Sequence, residues 1–172
     1  MRYIKKFENF GYELDPLELN EILKGYIEAA LWTEEEKLIE DSGEIEIDRN
    51  FDDEDDETDE MEKFVRLNSN YKTKSIESFT REDIEADSLI KAYQDIKQFV
   101  SLAGQSVDYA VGENGYEQLG HDFWLSRNGH GAGFFDHSYD DDEEKALMDA
   151  AHKLGEIYIY INDNGKLSFS NE

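Results

Sequence analysis

No cysteine occurs among the 172 residues, so the chain has no disulfide frame, no thiolate nucleophile and no cysteine zinc site, as expected in a reducing compartment. Lysine and arginine are scarce. They number 17 against 43 aspartates and glutamates, which leaves a net charge of −26 and a pI near 4.3. A free-standing DNA- or RNA-binding module would neutralise phosphates with a basic patch, and an anionic membrane surface would repel this charge, so neither is an expected direct partner. No apolar run approaches the ~18 residues that span a bilayer, and the start Met1-Arg2-Tyr3-Ile4-Lys5-Lys6 lacks the apolar stretch of a signal peptide. These absences predict a cytoplasmic protein.

Charged residues make up 35% of the chain, yet 13% is aromatic, far too much for a disordered acidic chain, so the protein is expected to fold with a strongly negative surface. One domain is expected over 1–172, with an N-terminal helical part at 1–33, an acidic segment at 34–62 and a core at 63–172.

Asp15-Pro16-Leu17-Glu18 is a helix start: Asp15 caps, Pro16 suits the first helical position and Glu18 reaches back as a capping box. Leu19, Ile22, Leu23, Tyr26, Ile27 and Ala30 follow on one face, which predicts an amphipathic helix ending near Trp32. From Glu34 to Glu62 there are 17 acidic residues against Lys37 and Arg49, a net of −15. Within this segment Ile45-Glu46-Ile47-Asp48 predicts a short edge strand, and the run from Phe51 to Glu60 has no apolar periodicity and is expected to extend by self-repulsion. The five basic residues Lys63, Arg66, Lys72, Lys74 and Arg81 then offer a stretch able to fold back on the acidic run.

A second helix is signalled at Thr80-Arg81-Glu82-Asp83 and carried by Leu89, Ile90, Tyr93, Ile96, Phe99 and Val100 to Gly104. After a loop through Gly112 and Gly115, two β-prone runs flank Asn128-Gly129, which suits a type I′ turn; the simplest register pairs Arg127 with His130, Trp124 with Gly133 and Phe123 with Phe134. Trp124 would then lie over Gly133. A third helix is expected from Asp141 to Leu154, with Gly155 closing it. Ile157–Ile161 and Leu167–Phe169 flank Asn162-Asp163-Asn164-Gly165-Lys166 as a second hairpin. The expected fold class is therefore α+β: two or three helices on a mainly antiparallel four-stranded sheet, a C-terminal ββαββ unit with an acidic insertion.

The run Gly120-His121-Asp122-Phe123-Trp124-Leu125-Ser126-Arg127-Asn128-Gly129-His130-Gly131-Ala132-Gly133-Phe134-Phe135-Asp136 resembles a family of small proteins encoded by bacteriophages and prophages. The likeness extends to Gly25–Trp32 and to Gly155–Lys166. Ser126 stands where the family commonly has Thr, and Phe135 where it commonly has Trp. The resemblance implies a phage-encoded protein acting inside an infected bacterium, and it brings no established activity with it.

At the open end of the expected hairpin, His121, Asp122, Asp136 and His137 would cluster, offering metal ligands, or a general base from His121 with Asp122 or Asp136. Their spacing matches no recognised ligand pattern, so turn residues, helix-start acids and a surface histidine are the simpler account. No serine or cysteine nucleophile is marked by a local motif. Gly129, Gly131 and Gly133 invite a phosphate-cradling reading, but a dinucleotide fingerprint needs strand, glycine loop and helix in order, so tight turns explain them better. Arg127, Asn128, Gly129, His130 and Gly131 would form an exposed motif surface beside the turn. The acidic run lacks the EF-hand frame, notably its turn glycine; no cofactor is predicted, and weak divalent-cation binding is the most expected of it.

Magnitude favours a different use of the acids. Duplex DNA carries one charge per ~1.7 Å of axis, so a net charge of −26 corresponds to about 44 Å of duplex, while a compact chain of this length is roughly 40 Å across. The expected function is inhibition of a host nucleic-acid-binding protein by charge mimicry. Its contacts would be Asp52, Asp53, Glu54, Asp55, Asp56, Glu57, Asp59 and Glu60, with Asp140, Asp141, Asp142, Glu143 and Glu144 as a second patch. The competing readings are a metal-assisted or acid–base enzyme at His121, Asp122, Asp136 and His137, and a docking adaptor that uses the Gly129-His130-Gly131 turn.

Overall fold

A computed structural model describes residues 14–42, 64–67 and 73–171. Among them are five helices: α1 (Pro16–Thr33), α2 (Glu35–Ser42), α3 (Ala86–Ala103), α4 (Ser106–Arg127) and α5 (Asp141–Leu154). Two separate antiparallel pairs accompany them, β1 (Phe64–Arg66) with β2 (Thr73–Ser75) and β3 (Tyr158–Ile161) with β4 (Leu167–Ser170). The four-stranded ββαββ sheet is therefore wrong: the fold is mainly helical. The expected strand at 45–48 lies outside the described residues.

Several local signals act as expected. Asp15 Oδ1 accepts from Leu17 N at 2.8 Å and Glu18 N at 2.9 Å, and Asp15 N donates to Glu18 Oε2 at 2.9 Å, which completes the capping box of α1. At Thr80 a capping box with Asp83 does form, but it closes only a 3₁₀ turn, and α3 begins at Ala86. The C-terminal hairpin pairs Tyr158 with Ser170 and Ile161 with Leu167. Its turn is held by Asn162 Oδ1, which accepts from Asn164 N at 2.9 Å and Lys166 N at 3.1 Å.

The first expected hairpin is where the chain departs. Residues 123–127 are the last turns of α4, and 134–136 form a 3₁₀ turn. Leu119, Phe123 and Trp124 recur at helical spacing and are all buried, so the helix hides on one face what a strand would have split between two. Asn128-Gly129 ends that helix instead of reversing a strand. Gly129 sits at φ 67°, Gly129 N donates to Ser126 O at 3.4 Å and His130 N donates to Leu125 O at 3.0 Å, the paired bonds of a Schellman cap. Trp124 does not cover Gly133. It packs edge-on to Tyr26 at 5.0 Å, whereas Gly133 lies against Ser126. The expected glycine loop survives only as a break in α4 at Gly115, whose φ of 85° and ψ of 171° interrupt the helix.

α4 is the centre of the molecule: α1 shares its most extensive interface, and α5 and α3 also pack on it. α1 and α4 cross with their backbones touching. A Cβ built on Gly25 would lie 1.8 Å from the Glu117 carbonyl oxygen, and one on Gly120 would lie 1.9 Å from that of Ile22. This closeness lets large rings fill the remaining space. Phe99 stacks on Phe123 at 4.2 Å and on Phe134 at 5.6 Å, and each such fully buried ring contributes about 1.5–3 kcal/mol.

Gly25→Ala and Gly120→Ala are each expected to destabilise by at least about 1–3 kcal/mol, because a carbonyl on a packed helix cannot yield. Gly112→Ala, with open space around it, is expected to be neutral or to stabilise by up to about 1 kcal/mol through helix propensity. Urea unfolding of the three variants checks both signs.

Candidate functional site

The motif surface inferred at 127–131 divides in two. Arg127 belongs to the core: its side chain is 0% exposed because it follows Phe123 by one helical turn and faces the same way. Its Nη1 donates to Asp95 Oδ2 at 3.0 Å and to the Tyr26 hydroxyl at 2.9 Å, its Nε to Gly155 O at 2.8 Å and its Nη2 to Leu154 O at 3.3 Å. One guanidinium thus joins α1, α3 and α4 and satisfies carbonyls at the end of α5, where a cation also suits the helix dipole. Burial pushes the Tyr26 phenol up, with Arg127 opposing and Asp95 adding to the rise. Asn128 works beside it, accepting at Oδ1 from Ile157 N at 2.8 Å. Arg127 therefore offers nothing to an anionic substrate, and the accessible remnant of the motif is Gly129 and Gly131 with a half-buried His130.

The His/Asp cluster forms, but through different elements. Asp122, on α4, has a side chain only 3% exposed; its Oδ2 lies 2.7 Å from His137 Nε2, and its Oδ1 lies 4.0 Å from His121 Nδ1 and accepts from Gln118 Nε2 at 2.8 Å. His137 arrives on the loop that returns from the α4 cap, not on the second strand of a hairpin. Asp136 instead accepts from Gly133 N at 3.0 Å within its own turn. The proposed set His121, Asp122 and Asp136 is split accordingly. Among the described residues no group of three or more His, Asp or Glu side chains is arranged to hold a metal ion. Burial raises the Asp122 carboxyl above its ordinary range, while the bond from Gln118 and the charge and hydrogen bond of His137 pull it back. His137 also packs against the Tyr139 ring at 5.0 Å, and the Tyr139 hydroxyl accepts from Asn114 Nδ2 at 2.7 Å. The pair can hold or relay a proton, and it ties the 129–140 loop to α4.

A further site had no counterpart in the sequence reading. A cleft of about 400 Å³ opens between the end of α1, the start of α2 and the loop after α4, lined by Trp32, Thr33, Glu35, Glu36 and His130. Trp32 is 62% exposed and stacks on His121 at 6.0 Å and 21°. Thr33 is fixed from below, its Oγ1 accepting from Trp124 Nε1 at 2.8 Å. His130 Nε2 is buried without a hydrogen-bond partner; Glu34 Oε1, at 3.9 Å, is beyond hydrogen-bond reach. The available signal was a tryptophan off the apolar face of an amphipathic helix.

Of the acidic contacts, 52–60 lie outside the described residues. Asp140, Asp141 and Asp142 are exposed at the start of α5 and Glu143 and Glu144 are half-buried there, placed as the helix dipole favours. The described residues alone carry 28 acidic against 11 basic side chains, a net of −17. Cations are drawn into pairs: Lys24 with Glu117 at 2.8 Å, Lys74 with Asp83 at 2.5 Å, Lys91 with Asp95 at 3.5 Å, and Lys145 with Asp149. The hydrogen bond to Glu117, aided by Glu28, raises the Lys24 ammonium and keeps it charged. No described helix is long and apolar enough to cross a membrane. No family model, curated protein or solved structure matches the chain.

Arg127→Ala is expected to cost about 3–5 kcal/mol of stability, because the buried Asp95 keeps only Lys91, at 3.5 Å, as a counter-charge and the Tyr26 hydroxyl and the Leu154 and Gly155 carbonyls lose their donor. Asp95→Asn in the same background should restore part of that loss in urea unfolding, and no recovery would assign the loss to packing. Asp122 gives a pH signature. A carboxyl raised in the folded state contributes stability that is complete below its unfolded value and is lost as pH rises through the folded one. Asp122→Asn should therefore be more stable than the parent at pH 7, with the difference shrinking toward zero as pH falls through the carboxyl range, as followed by denaturant titrations at stepped pH.

Proposed function

We propose that this chain is an acidic protein of bacteriophage type that binds and inhibits a nucleic-acid-binding protein of the host bacterium, a defence nuclease or a transcription factor, by presenting carboxylates where DNA presents phosphates. The observation that carries this reading is the net charge of −17 on the described residues. The mimicry thus does not depend on the 52–60 run alone. A partner with a basic groove would be steered to this surface quickly, and salt would screen the attraction.

A second reading has its own observation, the buried Asp122 carboxylate 2.7 Å from His137 Nε2. It is an acid–base site in which Asp122 orients His137. It requires turnover that His137→Ala abolishes.

The mimic reading is tested by immobilising the full chain, passing nuclease-treated bacterial lysate over it and eluting with a salt step. The expected outcome is a nucleic-acid-handling protein that duplex DNA competes away and that a variant with Asn and Gln at 52–57, 59 and 60 retains at least tenfold less well. Equal retention by that variant and by one neutralised at 140–144 would overturn the mimicry in this form.

A further inference from the structure

We propose that the Trp32 cleft receives an arginine side chain from the protein partner, a contact that rests on the acidic-partner reading above and gives it a specific anchor. Trp32 supplies an indole face that is mostly open to water and is held in place by the His121 ring stacked at 6.0 Å. A guanidinium is planar, weakly hydrated and attracted to an indole face, so it stacks there better than an ammonium does. Exposed Glu36 lies on the wall of the cleft, and Glu34 stands 3.9 Å from His130 at its side, so the surrounding charge is complementary to a cation. His130 forms part of the cleft lining beside them. Thr33 is already committed to Trp124 and forms a fixed floor, so little ordering is required on binding. The volume of about 400 Å³ accommodates one long side chain and its backbone.

The test titrates the full chain with hexa-arginine and hexalysine peptides at low and at physiological salt, for the parent, Trp32→Ala, Trp32→Phe and Glu36→Gln, with circular dichroism to confirm folding. The parent should bind hexa-arginine several-fold more tightly than hexalysine; Trp32→Ala should lose about five- to tenfold for arginine and little for lysine, and Trp32→Phe should recover part. If Trp32→Ala binds hexa-arginine as tightly as the parent while binding remains salt-sensitive, the cleft assignment fails and the acidic surface stands. Equal affinity of the parent for the two peptides also overturns it. If the parent binds neither peptide at low salt, the cleft assignment and the charge-based reading fall together.

Discussion

One buried cation, Arg127, organises the described residues. The Arg127 guanidinium is removed from water, which costs several kcal/mol unless its donors are answered, and here they meet Asp95, the Tyr26 hydroxyl and the carbonyls of Leu154 and Gly155. These partners come from α3, α1 and the end of α5, so the charge is satisfied only when all three elements are in register with α4. The glycine contacts serve the same constraint. Gly25 and Gly120 bring α1 and α4 close enough for Tyr26 to reach inward to Arg127, and the Schellman cap at Gly129 turns the chain away directly after it. Tyr26 from α1, Arg127 from the end of α4 and Gly155 just after α5 meet in this one group, so residues far apart in sequence share one packing constraint.

The accessible groups of the described residues lie outside that node. Arg127 serves architecture, four of the eight described lysines are held in ion pairs, and the excess of carboxylates faces water. Such a surface repels itself and is offset by the aromatic core of Phe99, Phe123, Trp124 and Phe134. The exposed Trp32 beside Glu36 and His130 adds an aromatic face to a surface otherwise dominated by charge.

The parts of the fold legible in the sequence are those whose signals are local and unambiguous. The Asp15–Glu18 capping box, the Gly104 and Gly155 ends and the Asn162 turn each depend on residues within about four positions of one another, and each formed. Asn128-Gly129 is locally ambiguous, since positive φ at glycine serves an I′ turn and a helix C-cap equally. Phe123 and Trp124 add to the ambiguity, because aromatic residues favour strands only as far as their packing environment allows. For the site, the proximity of His121, Asp122 and His137 was legible for the wrong reason. Asp136 caps its own turn, and Arg127 is buried rather than exposed because a matching acid, Asp95, is buried beside it.

By itself the sequence determined the sign and size of the charge, the absence of thiol chemistry, the starts and stops of α1 and α5, and the last hairpin, because these follow from composition or from contacts a few residues long. Only the tertiary structure decided that residues 120–127 are helix, that Arg127 and Asp95 share a buried pair 32 positions apart, and that Trp32 opens onto a cleft. Each of those depends on which distant surfaces exclude water together, and no short window of residues contains that information.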